Sequence, residues 1–213
     1  MIFAIDWVAV SSIATAAATL VLALATFASV RSANRAARAA ERSLLAGLRP
    51  LLAPTRPDDP PQKVGVMDDR WFQIPGGGGV AEATDDAVYL AIAVRNVGSG
   101  IAVLHGWHLD PELGTGATEH PPVEGFRRLS RDLYIAAGES GFWQGAFRDP
   151  QKPGFAAPRA AVEEPKRFSL DILYGDHELG QRSITRFAMT PREDGRWLAT
   201  VSRHWNVDRP DPR

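Results

Sequence analysis

The chain has 213 residues, 24 Lys and Arg against 25 Asp and Glu, a formal charge of −1 and 45% hydrophobic residues, averages that fit a globular protein of one or two domains. Those totals exclude a collagen-like chain, a wholly disordered one and a strongly basic nucleic-acid binder. With no Cys, a disulfide framework, a thiolate zinc site, an iron–sulfur cluster and a cysteine nucleophile are excluded too.

Residues 1–6 are expected to be a short external N-terminus. Residues 7–30, WVAVSSIATAAATLVLALATFASV, contain no charge and are bounded by Asp6 and Arg31. A helix of that length rises ~36 Å, enough to cross a hydrocarbon core of about 30 Å with some tilt. The competing reading is a cleaved signal peptide, with Ala23-Leu24-Ala25 as a mimic of a cleavage site. The first six residues carry no Lys or Arg, however, and the apolar stretch exceeds the usual length of a signal core. Trp7, with Phe3 nearby, is expected as an aromatic anchor at the outer interface. Small side chains recur on one face, among them Ala14 and Ala18, which suits a homo-oligomer through the helix. In an Ala-rich chain, Ala as the ordinary apolar residue is an equal explanation.

Residues 31–49 continue as an Arg-rich juxtamembrane helix, ended by Gly47 and Pro50. Steps of four, three and four place Arg31, Arg35, Arg38 and Arg42 on one stripe, suited to anionic headgroups. A solvated stalk that only enforces topology fits the same stripe. Positive flanks stay in the cytoplasm, so the expected topology is N-terminus outside, one span of the cell membrane, and everything from Arg31 onward inside. Residues 50–63 begin with PLLAPTRPDDPP, five prolines in twelve residues, and are expected to be a stiff extended linker.

Residues 64–213 read as the folded domain. Clear strands are expected at 88–97, 101–109, 168–174, 183–190 and 197–207, with weaker ones at 64–74, 133–136 and 141–147. Asp194-Gly195 and Gly98-Ser99-Gly100 supply the turns, and 175–180 a longer polar loop. Eight short strands with almost no helical periodicity predict an antiparallel sandwich or barrel. Two long connections, 110–130 and 148–166, exceed normal hairpins and are candidate binding loops.

Only three of the 24 basic residues are Lys, a bias suggesting a high-GC bacterial genome. With the single span, the collar leading into LLAGLRPLL, and the segments VRNVGSGIAVL, ILYGDHELGQRSITRF and RHWNVD, the chain resembles uncharacterised single-pass membrane proteins of high-GC Gram-positive bacteria. The resemblance implies an immunoglobulin-like β-sandwich and brings no known activity and no catalytic residues.

The residue types that carry chemistry converge weakly. His105 and His108 are three apart on a strand, which puts them on opposite faces unless a bulge intervenes, and no third ligand is spaced to help them hold zinc. Asp176-His177-Glu178 offers an imidazole and two carboxylates in one loop, the residues a hydrolase-type enzyme would use, though a solvated turn needs the same types. Ser140 lacks the second glycine of a nucleophile elbow. Gly76–Gly79 lacks the Lys-Ser/Thr of a phosphate loop and is expected to be a flexible connection. Residues 50–213 carry a net charge of −4, which disfavours nucleic acid. No catalytic residue, cofactor or metal is expected. The function expected is a membrane-tethered, non-enzymatic module that binds a membrane or cytoplasmic protein. An extracytoplasmic binding module is the alternative.

Overall fold

The computed structural model describes residues 6–112, 119–178 and 180–210. Expectations that fall on residues 1–5, Phe3 included, on residues 113–118 of the long 110–130 connection, and on Leu179 lie outside the described residues. The chain divides into two compact units, Met1–Leu44 and Leu45–Arg213.

Helix α1, Trp7–Gly47, provides the first unit. Asp6 starts it: its carbonyl accepts the Val10 N–H at 3.1 Å and its Oδ1 accepts the Val8 N–H at 3.1 Å, an N-cap that satisfies donors the first turn leaves open. Hydroxyls inside an apolar stretch cost free energy in hydrocarbon unless they find acceptors. Here they turn back onto their own helix. Ser12 donates to the Val8 carbonyl at 2.8 Å, Thr15 to Ser11 at 2.9 Å, Thr19 to Thr15 at 2.8 Å and Thr26 to Leu22 at 2.8 Å. The Ser- and Thr-containing segment therefore presents an apolar exterior, and α1 is long and apolar enough to span a membrane.

The second unit is mainly antiparallel β. Strands β1 (Leu52–Pro54), β4 (Gly78–Ala83), β5 (Val88–Asn96) and β8 (Ser140–Phe147) form one half of the main sheet. β6 (Ala102–Asp110), β7 (Arg127–Ile135), β9 (Phe168–Gly175), β10 (Arg182–Pro191) and β11 (Trp197–Asn206) form the other. The halves join where β4 meets β11 through two residue pairs, Gly79 with Trp197 and Gly78 with Leu198. The nine strands thus make one curled half-barrel with β7 and β8 as its edges.

Between the halves lies the main core, with Ile92 and Val94 from β5, Trp143 from β8, and Ile172, Tyr174 and Phe187 from β9 and β10. Trp107 and Trp143 meet edge to face at 5.3 Å. Both outer faces are covered as well, which explains why β5 and β9 are buried on both sides. A hairpin of β2 (Gln62–Gly65) and β3 (Trp71–Ile74) lays Val64 and Ile74 on Ala91 and Ala93. On the opposite half, Val123 and Phe126 pack with Leu173, Ile184 and Trp205 in a second small core. The run expected as one strand over 64–74 is therefore a hairpin, its turn passing through Asp69 at positive φ.

Three expectations are corrected. Residues 50–63 are not a spacer separate from the domain. β1 pairs with β5 in the register Leu52 to Asn96, Leu52 is fully buried, and Pro54 closes the three-residue strand as its last residue, opposite Val94. The glycine run is not a flexible connection either. Gly77 takes positive φ, its N–H donates to the Thr55 hydroxyl at 2.9 Å, and Gly78 and Gly79 enter β4, where a side chain would strike Met189 and the Ala91 carbonyl. Third, the 148–166 connection contains helix α2 (Ala156–Glu163), which with Phe155 contributes Ala161 and Val162 to the main core.

Entry into the sheet is set by Asn96, which is fully buried. Its Nδ2 donates to the carbonyls of Gly100 at 2.6 Å and Ile135 at 3.0 Å, while its Oδ1 accepts the N–H groups of Leu51 at 3.1 Å and Gly98 at 3.0 Å. One side chain ties β1, the 98–100 turn and the end of β7 together. Around it, Gln181 Nε2 donates to the Leu45 carbonyl at 2.5 Å and Arg49 donates to Asn206.

Candidate functional site

A groove of about 660 Å³ lies on the outer side of the β6, β9 and β10 half, lined by His105, Phe126, Arg128, Leu173, Arg182 and Asp208 among others. Its size falls within the range of ligand-binding clefts. One wall is the end of the long 110–130 connection, where a short 3₁₀ turn at Val123–Gly125 precedes β7. The floor is apolar, from Leu173 and Phe126. The rim is charged.

His105 reaches this groove because β6 is bulged. Its pairing with β9 passes from Leu104 opposite Tyr174 to Gly106 opposite Leu173, so His105 is the extra residue. Parity shifts by one, and His105 and His108 both come to the outer side: His105 lines the groove beside Phe126, and the His108 ring packs on Phe126 at 5.9 Å. The exception allowed for in the sequence is what occurs, yet no group of three metal-ligating side chains assembles there among the described residues. His105 Nε2 is buried without a hydrogen-bond partner. Burial holds this imidazole below the usual histidine range, and the Arg182 charge pushes it the same way, while Asp132 and Asp176 act weakly against them.

Across the groove, Arg182 grips Asp208. Its Nη2 donates to Oδ1 at 2.7 Å and its backbone N–H to Oδ2 at 2.7 Å. The Arg182 hydrogen bonds hold the Asp208 carboxyl below the usual carboxylate range. Arg128 and Glu124 are the further charged residues of the lining, and the Glu124 charge also acts on Arg182. Sequence reading did not single out Arg128, Arg182 or Asp208, since β7, β10 and the tail after β11 meet only in the folded domain.

The other sequence candidates are placed apart from the groove floor. Asp176 is fully buried and serves its own turn, its Oδ1 accepting the Gly180 N–H at 2.9 Å and its Oδ2 the Gln181 side-chain amide at 3.2 Å. His177 and Glu178 lie on the surface 3.4 Å apart, so the three residues do not converge on one point. Ser140 is exposed at the start of β8, paired in register with Arg95. Trp7 is the first residue of α1, and Arg31, Arg35, Arg38 and Arg42 are all exposed along it.

No protein-family model matches the chain, and no curated protein and no solved structure matches it.

Proposed function

We propose that the protein is a membrane-tethered, non-enzymatic binding module whose C-terminal domain lies in the cytoplasm and takes a protein partner through the groove between His105, Arg128 and Arg182. The observation that carries this reading is the groove itself, an apolar floor with a charged rim built partly from the long 110–130 connection. Apolar floors supply affinity and fixed rim charges supply orientation. The tether is α1, and the Arg31 to Arg42 stripe supports both the inside orientation and contact with anionic headgroups. Association of two copies through the small residues of α1 belongs to the same reading. So does the likeness to single-pass membrane proteins of high-GC Gram-positive bacteria. A sandwich-like, immunoglobulin-type arrangement is supported by the way the β5 and β9 halves face one another across one core.

The test is a photo-crosslinking amino acid introduced in the full-length, membrane-embedded protein at Arg128, with Arg192 on the distant β10–β11 turn as the control position. A discrete adduct from Arg128 alone supports the reading; equal labelling at both positions, or none, removes it. Protease added to intact spheroplasts decides the side of the membrane. Digestion of the domain from outside favours the extracytoplasmic alternative.

A further inference from the structure

Six arginines of the domain form ion pairs: Arg70 with Glu82, Arg148 with Asp68, Arg159 with Glu163, Arg182 with Asp208, Arg186 with Asp171 and Arg196 with Asp194. Arg127, the first residue of β7, differs. Its guanidinium lies 4.3 Å from the Phe147 ring centroid and 5.4 Å from that of Trp107, and it forms no ion pair with a carboxylate among the described residues. Arg127 is exposed at the start of β7, and the partial desolvation of its guanidinium beside the two rings draws its pKa below the ordinary arginine value. The donors of the fork are left for something else.

Arg127 lines a cavity of about 190 Å³ together with Arg148, Asp149, Lys152, Gly154 and Phe155. Successive residues of a strand point to opposite sides, so this cavity is a different place from the groove that Arg128 lines. Arg148 is itself held in position. Its Nε donates to Asp68 at 3.3 Å, its guanidinium lies 5.8 Å from the Tyr89 ring, and Asp68 accepts the Tyr89 hydroxyl at 2.5 Å. Asp149, the carboxylate on the wall, is turned onto its own loop: Oδ1 accepts the Gln151 N–H at 3.1 Å and Oδ2 sits 3.6 Å from Lys152 Nζ. Three cationic side chains therefore line a small space; Arg148 and Lys152 each share a carboxylate, Asp68 and Asp149, while Arg127 has none among the described residues.

We propose that this cavity binds a phosphate-type oxyanion, the phosphate group of a small soluble ester or of an anionic lipid headgroup, with Arg127 as the forked ligand and Arg148 and Lys152 as flanking cations. A planar guanidinium with its donors unengaged matches two oxygens of a phosphate, and the flanking Arg148 and Lys152, each shared with a carboxylate, bring further donors within the same cavity. The small volume takes the anionic group alone. The remainder of the ligand extends into solvent or lipid.

The full-length protein is reconstituted in phosphatidylcholine nanodiscs and titrated calorimetrically with inorganic phosphate and with glycerol phosphate at constant ionic strength; a second arm measures capture of phosphatidic acid vesicles. Saturable binding is expected in at least one arm, weakened about tenfold or more by Arg127→Gln and by Arg127→Lys, which keeps the charge and loses the fork, with Arg192→Gln unchanged. Binding of soluble phosphate assigns the ester as source, and Arg127-dependent capture of vesicles alone assigns the headgroup. Capture that depends on Arg31 to Arg42 and not on Arg127 counts against the site. Melting without anion shows whether Arg127→Gln folds; if it does not, Lys152→Ala carries the same comparison. No saturable binding in either arm, or wild-type binding by the Arg127 and Lys152 variants, overturns the proposal.

Discussion

The Asp171 carboxylate and the Arg186 guanidinium form a two-pronged pair across β9 and β10, with Nε donating to Oδ1 and Nη2 to Oδ2, each at 2.7 Å, and with side chains 1% and 7% exposed. Arg186 also lies 5.0 Å from the Trp205 ring centroid, so the pair sits within the second small core. Removing one partner of a buried pair costs about 3–5 kcal/mol, whereas replacing both with apolar residues of similar volume is near neutral. Asp171→Ala is therefore expected to lose stability on that scale in urea unfolding. The double change Asp171→Leu with Arg186→Met is expected to recover most of it; equal losses in the two proteins contradict the account.

Asn96→Ala removes four hydrogen bonds at once and leaves the buried carbonyls of Gly100 and Ile135 and the half-buried N–H groups of Leu51 and Gly98 without that partner. Each such loss costs roughly 1–3 kcal/mol, less than additively at one site. The expected outcome is a severe drop in melting temperature, with limited proteolysis cutting first near residues 48–52. Cleavage that stays confined to exposed loops argues against Asn96 as the tie between β1 and the sheet.

A methyl group on Gly100 would overlap the backbone carbonyl of Leu48, whereas one on Gly125 meets nothing within 4 Å. Gly100→Ala should therefore force the 48–51 segment off the 98–100 turn and destabilise the domain by about 1–3 kcal/mol. Gly125→Ala, at an open position, should be close to neutral. Thermal melts of the two variants side by side read the difference.

His105 gives the domain a pH dependence of definite sign. Its folded pKa is depressed, mainly by burial, so as pH falls through about 6.5 the unfolded chain takes up a proton that the folded one refuses. Stability present at neutral pH and above is lost progressively below that point, until the folded pKa is reached. His105→Gln should flatten the melting temperature between pH 7 and 5, because its amide does not titrate. A wild-type slope retained in the variant would place the proton elsewhere.

The collar makes a prediction about topology rather than stability. Changing Arg31, Arg35, Arg38 and Arg42 to Gln leaves the flanks of the span with little charge difference, and reporter fusions after residue 49 are expected to shift from uniformly cytoplasmic to mixed orientation. Uniform orientation in that variant would mean that the arginines do not set it.

What was legible in the sequence follows from how local each signal is. The long strands announce themselves through period-two alternation, as in Phe168, Leu170, Ile172 and Tyr174 on one face of β9, all of which enter the main core. α1 is equally plain, being a charge-free run. β1 was hidden because a three-residue strand ending in Pro54 carries no period, and it exists only because β5 offers a partner. β4 was hidden by glycines whose role is close approach to Met189 and Ala91. α2 was hidden by its eight residues and its internal Pro158, its helical state resting on burial of Ala161 and Val162. The groove was invisible for a related reason. Its position depends on a bulge at His105 and on the packing of Phe126 over β9, neither of which leaves a mark in residue order.

The hydrogen bonds from Gln181 to Leu45, from Leu52 to Tyr174 and from Arg49 to Asn206 span 136, 122 and 157 positions of the chain. During synthesis, α1 leaves the ribosome well before β9, β10 and β11 exist to receive the segment that follows it. In the membrane-tethered arrangement proposed above, the domain completes its slow, long-range closure on a chain whose apolar helix has already emerged. Until β11 is made, β1 and the 45–51 segment have no finished sheet to join, and a nascent chain stalled before Trp197 would carry its apolar helix complete and its domain open to proteases.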